Sequence, residues 1–171
     1  MRDDTSHEDR LGKKPTPKGL GEILGAKEDD FEAEEASSSR AFGYLRGSRD
    51  QSAAIEFRFR SGNSTSFPYN WLGTWKYNPS EGILIKFSGD LVYLVLIRGS
   101  NLDKPLKGGA VTLMRAGFQR HRLMWVREMS ESDINIAEEA EPTVDSIEIE
   151  EFESHAALKE WLGQKAPAFL H

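Results

Sequence analysis

Short runs of alternating apolar and polar residues, separated by brief turn signals, occupy the middle of this chain. Residues 55–60 (Ile-Glu-Phe-Arg-Phe-Arg) alternate with period two, which is the pattern of a half-buried strand. Residues 61–64 have the composition of a hairpin turn, and residues 83–87 repeat the alternation. Residues 91–97 are continuously apolar and rich in β-branched side chains, which is typical of a central strand buried on both faces. The pattern therefore predicts a mainly β domain.

The two main helical signals lie in the second half of the chain. Residues 111–118 carry apolar side chains at helical spacing, which predicts a short helix. Residues 144–149 predict a late strand, and Ser154 is a good N-cap for a final helix that we expect Gly163 to end. The fold class predicted is mainly β (α+β): a small barrel or a strongly bent antiparallel sheet with a C-terminal strand–helix appendage.

Charge is sorted along the chain. Residues 1–39 carry 6 Lys/Arg and 11 Asp/Glu, residues 40–130 carry 14 and 6, and residues 131–171 carry 2 and 11. We predict that residues 1–39 are a disordered acidic tail, because they bury too little apolar surface to offset the entropy of ordering. Residues 40–130 are then a basic β-rich core domain. Residues 131–171 form an acidic linker, a strand and a C-terminal helix that pack on this core.

Composition excludes several kinds of site. The chain of 171 residues has no cysteine, so disulfides, zinc-thiolate sites and thiol nucleophiles are absent. Residues 1–10 are too charged for a signal peptide, and the longest apolar run, residues 91–97, is far shorter than the ~20 residues that span a bilayer. We therefore expect a cytoplasmic protein without a membrane partner. The sequence predicts no metal ligands and no cofactor.

The sharpest local motif is the string Leu-Ile-Arg-Gly-Ser-Asn-Leu at residues 96–102. It resembles the second signature of the Sm/LSm family, in which an apolar strand ends in Ile-Arg-Gly-x-Asn and an aliphatic residue. The resemblance implies a small barrel that assembles into rings around single-stranded RNA. It implies that Arg98 and Asn101 contact bases and that Gly99 permits close approach. A plainer interpretation of the same residues is a tight turn at Gly99 with Arg98 facing solvent.

Basic residues also cluster between residues 115 and 127, where Trp125 stands among them. Arginines supply charge for a phosphate backbone, and aromatic rings supply surfaces on which bases stack. We therefore predict that Arg120 and Arg122 contact phosphates. The leading hypothesis is a non-enzymatic binding module for single-stranded RNA or another polyanion.

Two other hypotheses remain open at this point. The first is a protein-interaction or assembly module, bound to a protein partner or to copies of itself, whose basic middle is neutralised by its own acidic arms. It predicts that the acidic strand at residues 145–151 pairs beside a basic strand such as residues 55–60, and that the aromatic segment at residues 67–77 meets the partner. The second is a hydrolase with His121 as general base, which requires a carboxylate or hydroxyl within reach of its ring. No catalytic motif supports the hydrolase, and we predict no catalytic residue.

Overall fold

A computed structural model of the chain describes residues 39–47, 49–106 and 111–170. These residues belong to one compact unit, residues 34–171. Apart from Ser39, the predicted disordered tail lies outside the described residues. Two four-stranded sheets make up the architecture. The first sheet contains, in spatial order, β1 (Phe42–Tyr44), β7 (Leu123–Arg127), β2 (Ala54–Arg58) and β3 (Ser64–Pro68).

The second sheet is antiparallel throughout. It contains, in spatial order, β4 (Leu72–Asn78), β5 (Gly82–Ser88), β6 (Val92–Arg98) and β8 (Ser146–Phe152). In the first sheet the central pair β2 and β7 is parallel, whereas β1 and β3 pair antiparallel at the two edges. The fold prediction is confirmed: the protein is mainly β and ends in a strand followed by a helix. Of the two predicted forms, the described strands adopt bent sheets and not a closed barrel.

Aromatic side chains join the two sheets. Phe67 of β3 stacks on Phe87 of β5 with ring centroids 4.5 Å apart, and Phe57 of β2 meets the edge of Phe87 at 6.1 Å. All three side chains are buried, because the period-two alternation of these strands turns them to the same side. Each such pair contributes about 0.5–1.5 kcal/mol beyond the burial of its area. The alternation therefore decides which face of each sheet forms the main core.

The second sheet is covered on both faces. Val95 and Ile97 of β6 point into the main core, whereas Leu94 and Leu96 pack in a second cluster with Leu162 of the C-terminal helix. This helix, α2 (His155–Lys165), follows the short helix α1 (Glu131–Asn135). The burial of β6 on both faces is the predicted property of the apolar run at residues 91–97.

The start of the C-terminal helix was predicted correctly, and its end was not. Ser154 caps α2 as predicted, since its hydroxyl accepts the N–H of Ala157 at 3.2 Å. The predicted end at Gly163 is wrong, because α2 continues to Lys165 and stops before Pro167, which cannot continue it.

The other differences concern the middle of the chain and β8. The helix predicted within residues 111–118 is a π-helix over Leu113–Phe118. The aromatic segment contributes β4, which the pattern did not predict. The acidic strand β8 pairs with β6, so its predicted pairing beside residues 55–60 is wrong. Within the described residues, no helix is both long and apolar enough to cross a membrane.

Candidate nucleic-acid interface

Arg98 lies at the end of β6 and contacts the acidic C-terminal part of the chain. Its guanidinium forms an ion pair with Glu148 of β8, and its Nη2 donates to the carbonyl oxygen of Lys165 at 2.6 Å. The Lys165 ammonium lies 3.1 Å from the other Glu148 carboxylate oxygen. Charge-assisted hydrogen bonds of this kind fix an arginine in one geometry. Arg98 therefore ties β6 to β8 and to the end of α2.

Gly99 allows two backbone segments to approach closely. A Cβ placed on Gly99 would overlap the carbonyl oxygen of Thr143. On either side of it, the N–H of Asp145 donates to the carbonyl of Arg98 at 2.8 Å, and the N–H of Thr143 donates to that of Ser100 at 2.9 Å. The close approach that Gly99 permits in this structure is thus to the protein's own chain.

Asn101 also contacts the acidic residues 131–171, which we call the acidic arm. Its φ of 56° lies in the left-handed region, which Asn tolerates better than most residues. Its Nδ2 donates to the carbonyl oxygens of Glu139 at 2.8 Å and Glu141 at 3.3 Å. The structure therefore brings Arg98, Gly99 and Asn101 together, and all three meet the segment that runs into β8.

Arg122 directly precedes β7 of the first sheet, and only 7% of its surface is exposed. Its Nε donates to the carbonyl oxygen of Leu45 at 2.7 Å, and its Nη2 donates to that of Arg46 at 2.7 Å and also to Leu45. The guanidinium carbon lies 5.8 Å from the centre of the Tyr44 ring. Arg122 therefore holds the loop after β1 in place by its planar fork of donors.

Four exposed arginines surround this buried one. The loop after β1 is joined to the turn before β7 by two backbone hydrogen bonds, from Leu45 to Arg122 at 2.9 Å and from Ser52 to His121 at 2.7 Å. The first loop carries two of the exposed arginines, and the π-helix with its following turn carries the other two. In the described part of the chain none of the four has an ion-pair partner. We call this group the basic end; its members are Arg46, Arg49, Arg115 and Arg120.

Tyr69 supports the turn that carries Arg120. Its ring stacks on the His121 ring with centroids 4.5 Å apart, and its hydroxyl donates to the carbonyl oxygen of Leu123 at 2.9 Å. Burial raises the pKa of the Tyr69 phenol well above its ordinary value. The phenol therefore stays protonated and keeps donating through the physiological range.

A groove with an aromatic wall lies beside Arg115. Its volume is about 580 Å³. Trp75 of β4 is half-buried there, with its ring 6.2 Å from that of Phe118. Trp125, by contrast, is buried under the Arg58 guanidinium, 4.8 Å away, and offers no open face. The groove is lined by Trp75, Asp103, Pro105, Thr112, Met114, Arg115 and Gln119.

The sequence predicted a basic cluster that includes Arg120 but did not include Arg46 and Arg49 in it. These two arginines lie in a short irregular loop without periodicity, about 70 residues from Arg120 along the chain. Only the hydrogen bonds between the two loops bring them to the same end. No local sequence signal exists for such a contact.

Part of the basic middle is neutralised from within. Arg40 pairs with Glu141 at 3.3 Å, Arg127 with Asp133 at 3.6 Å, and Arg98 with Glu148. All three carboxylates belong to the acidic residues 131–171. The acidic arm therefore contacts the α1 side of the core and the end of β6 at Arg98, Gly99 and Asn101, which we call the β6 end. These contacts do not include the basic end.

The hydrolase hypothesis required a carboxylate or hydroxyl within reach of His121. Within the described ranges the His121 ring makes no hydrogen bond, and the hydroxyl of its stacking partner Tyr69 is donated to Leu123. Among residues 39–47, 49–106 and 111–170, no group of three or more His, Asp or Glu side chains is placed to hold a metal ion.

Comparison with protein-family models, with curated proteins and with solved structures found no match to this chain.

Proposed function

We propose that this protein is a non-enzymatic module that binds single-stranded RNA through the basic end. The observation that carries the proposal is the set of four exposed arginines, free of ion pairs in the described residues, together with a groove that Arg115 and the half-buried Trp75 line. Unpaired guanidinium groups gain most from phosphate, because they lose no internal partner when they bind it.

Each part of the basic end has a distinct task in this proposal. Arg115 and Arg120 contact phosphates on the side of the π-helix, while Arg46 and Arg49 extend the same track across the neighbouring loop. Trp75 stacks with a base in the groove. Arg122 is a positioning residue, because its donors are occupied by the loop carbonyls.

RNA is favoured as the ligand by the resemblance of residues 96–102 to the Sm/LSm signature. That resemblance assigns base contacts to Arg98 and Asn101, with Gly99 beside them. The internal contacts of these residues mean that base binding there would compete with Glu148 and with backbone carbonyls. We therefore place the principal interface at the basic end and leave base contact by the β6 end as a prediction.

A charge reversal with a matched control tests the proposal. The full chain, Arg120→Glu and Lys159→Glu are titrated with a fluorescein-labelled 12-nucleotide single-stranded RNA across a salt series. Lys159 is exposed on α2, so its reversal changes the net charge equally outside the basic end. We expect Arg120→Glu to weaken binding about tenfold and to reduce the salt slope by about 0.7, the value of one single-strand phosphate contact.

Two results would refute this function. If the full chain does not bind the RNA at low salt, single-stranded RNA is not its ligand. Equal weakening by Arg120→Glu and Lys159→Glu would mean that net charge, and not the basic end, attracts RNA. Trp75→Leu separates stacking from charge, since it removes a stacking surface worth about 1–3 kcal/mol while leaving the salt slope unchanged.

The protein-interaction module remains a second candidate because of the internal ion pairs. Arg40, Arg98 and Arg127 are neutralised by the acidic arm, as this hypothesis requires. A module of this kind needs a surface that recognises protein and not phosphate. The aromatic segment that it invokes includes Trp71, which borders a different groove from the one that Trp75 and Arg115 line.

A further inference from the structure

The two sheets leave a seam between an edge of each. β3 is an edge strand of the first sheet and β8 is an edge strand of the second. At one end of the seam, Glu128 bridges the two sheets. Its Oε2 accepts the backbone N–H of Arg60 and its Oε1 accepts that of Ile147, both at 2.8 Å. A single carboxylate thus links the turn between β2 and β3 to the outer edge of β8 at this end.

The outer edge of β3 carries backbone groups that point away from β2. The N–H of Phe59 donates to Asn63 and the N–H of Tyr69 donates to Ala53, both at 2.9 Å. Hydrogen-bonded pairs alternate along an antiparallel ladder. In the register of β2 and β3, Ser64 and Ser66 therefore direct their N–H and C=O groups away from β2.

The facing edge of β8 follows the same rule. Because the N–H of Ile147 points away from β6 to Glu128, the backbone groups of Ile149 and Glu151 also point away from β6. Within the described residues, no backbone hydrogen bond joins β3 to β8. Beyond Glu128, β3 and β8 therefore each present a row of outward-pointing backbone donors and acceptors that have no backbone partner among the described residues.

A groove of about 550 Å³ lies along this open part of the seam. Trp71 and Tyr93 are half-buried there, with their rings 6.4 Å apart and nearly parallel at 7°. The charged residues in its lining are Glu150 and Glu151, both exposed, and the lining contains no Lys or Arg. The groove is lined by Phe59, Thr65, Ser66, Phe67, Trp71, Tyr93, Ile149, Glu150 and Glu151.

We propose that this seam is a strand-addition site for an extended peptide segment with basic side chains, supplied by a protein partner. The peptide backbone pairs with the free edges of β3 and β8 over about five residues, the length of β3. Its Lys or Arg side chains on one face of the added strand meet the Glu151 carboxylate and the rings of Trp71 and Tyr93, and those on the other face meet Glu150, which lies opposite Leu94 in β6. Glu128 marks the closed end of the site.

The site is independent of the basic end. Its ligand is cationic and extended, whereas RNA is anionic, so each proposal can fail without the other. A second copy of this chain and the residues before Ser39 are the other occupants that an experiment must separate from a partner peptide.

Binding of a defined peptide tests the site. The probe is a fluorescein-labelled ten-residue peptide of alternating Val and Lys, and its counterpart alternates Val and Glu. We expect the Val/Lys peptide to bind the full chain and to protect the amides of Ser64, Ser66, Ile149 and Glu151 from hydrogen exchange. The Val/Glu peptide should not bind.

Two variants and a matched control locate the binding. Glu150→Gln/Glu151→Gln removes both carboxylates and should weaken the Val/Lys peptide about tenfold, whereas Glu153→Gln, outside the groove, should weaken it less than twofold. Ser66→Pro removes one outward N–H without a ladder bond, which an edge strand tolerates, and should also weaken binding. The folded state of each variant is checked by its amide spectrum.

The proposal is overturned if the Val/Lys peptide does not bind, or if it binds equally to Glu150→Gln/Glu151→Gln and Glu153→Gln. It is also overturned if the protein is a dimer that Ser66→Pro dissociates, because a second copy then fills the seam. Removal of residues 1–38 that exposes the four amides would likewise assign the seam to the chain's own N-terminal part.

Discussion

The β6 end and the basic end are both rich in arginine, yet the structure uses their guanidinium groups in opposite ways. At the β6 end, Arg98 donates to Glu148 and to the Lys165 carbonyl, and neighbouring residues close onto the acidic arm. At the basic end, Arg120 and its exposed neighbours have no ion-pair partner among the described residues. The first region is a joint between sheet and appendage, and the second is an open cationic surface.

The difference shows that an arginine's role is decided by what the fold places opposite it. β8 follows β6 in the sheet and brings Glu148 beside Arg98. In the loop after β1, the buried Arg122 binds the carbonyl oxygens of Leu45 and Arg46, and the exposed arginines there have no ion-pair partner among the described residues. Substitutions at the β6 end should therefore change stability, whereas substitutions of exposed arginines at the basic end should change ligand binding.

The largest expected effect is at the β6 end. Gly99→Ala should lower the free energy of unfolding by about 3 kcal/mol, because the new methyl group overlaps the Thr143 carbonyl oxygen. Gly163→Ala is the matched control: its Cβ meets only Leu170 at 3.9 Å, so it should stabilise α2 by up to about 1 kcal/mol. Urea unfolding measures both. An unchanged urea midpoint for Gly99→Ala would contradict the close contact between Gly99 and Thr143.

Arg122 is the structural exception within the basic end. Arg122→Ala should cost about 2 kcal/mol, because the partly buried carbonyls of Leu45 and Arg46 lose a charged donor. Arg122→Lys should recover only part of this loss, since a lysine cannot reproduce the fork. If Arg122→Lys is as stable as the native chain but loses RNA binding, Arg122 is a ligand contact after all.

Tyr69 links stability at the basic end to pH. Tyr69→Phe should cost about 1–2 kcal/mol through the lost hydrogen bond to Leu123. Burial raises the folded-state pKa above the ordinary value of 10.0, so the unfolded chain releases this proton first. The stability due to Tyr69 is complete below pH 10.0 and declines as pH rises above it. The difference in urea midpoint between the native chain and Tyr69→Phe should therefore be smaller at pH 11 than at pH 8.

The smallest effect compares one arginine from each region directly. Arg98→Ala should cost about 1 kcal/mol, less than a buried charged pair, because its side chain is 32% exposed. Arg120→Ala should change the free energy of unfolding by less than about 0.5 kcal/mol, as expected for an exposed side chain without partners. Thermal unfolding of the two variants provides the measurement. A reversed order would break the distinction between joint and open surface.

Much of the fold follows from local pattern. The alternation at residues 55–60 overlaps β2, the apolar run at residues 91–97 overlaps β6, and Ser154 caps α2 as predicted. The π-helix at Leu113–Phe118 was predicted as a helix but not by type. The strand β4 escaped prediction because its aromatic and polar residues lack a clear period and its edge position leaves it only half-covered.

By itself, the sequence determined the mainly β class, the burial of β6 on both faces and the separation of acidic from basic segments. These properties depend on periodicity and composition, which act over a few neighbouring residues. Only the tertiary structure decided that Arg98 is paired, that Arg46 joins Arg120 on one surface, and that β3 and β8 leave a seam. Each of these depends on strand order and loop contact between distant residues, and no local pattern encodes which charge a given arginine will meet.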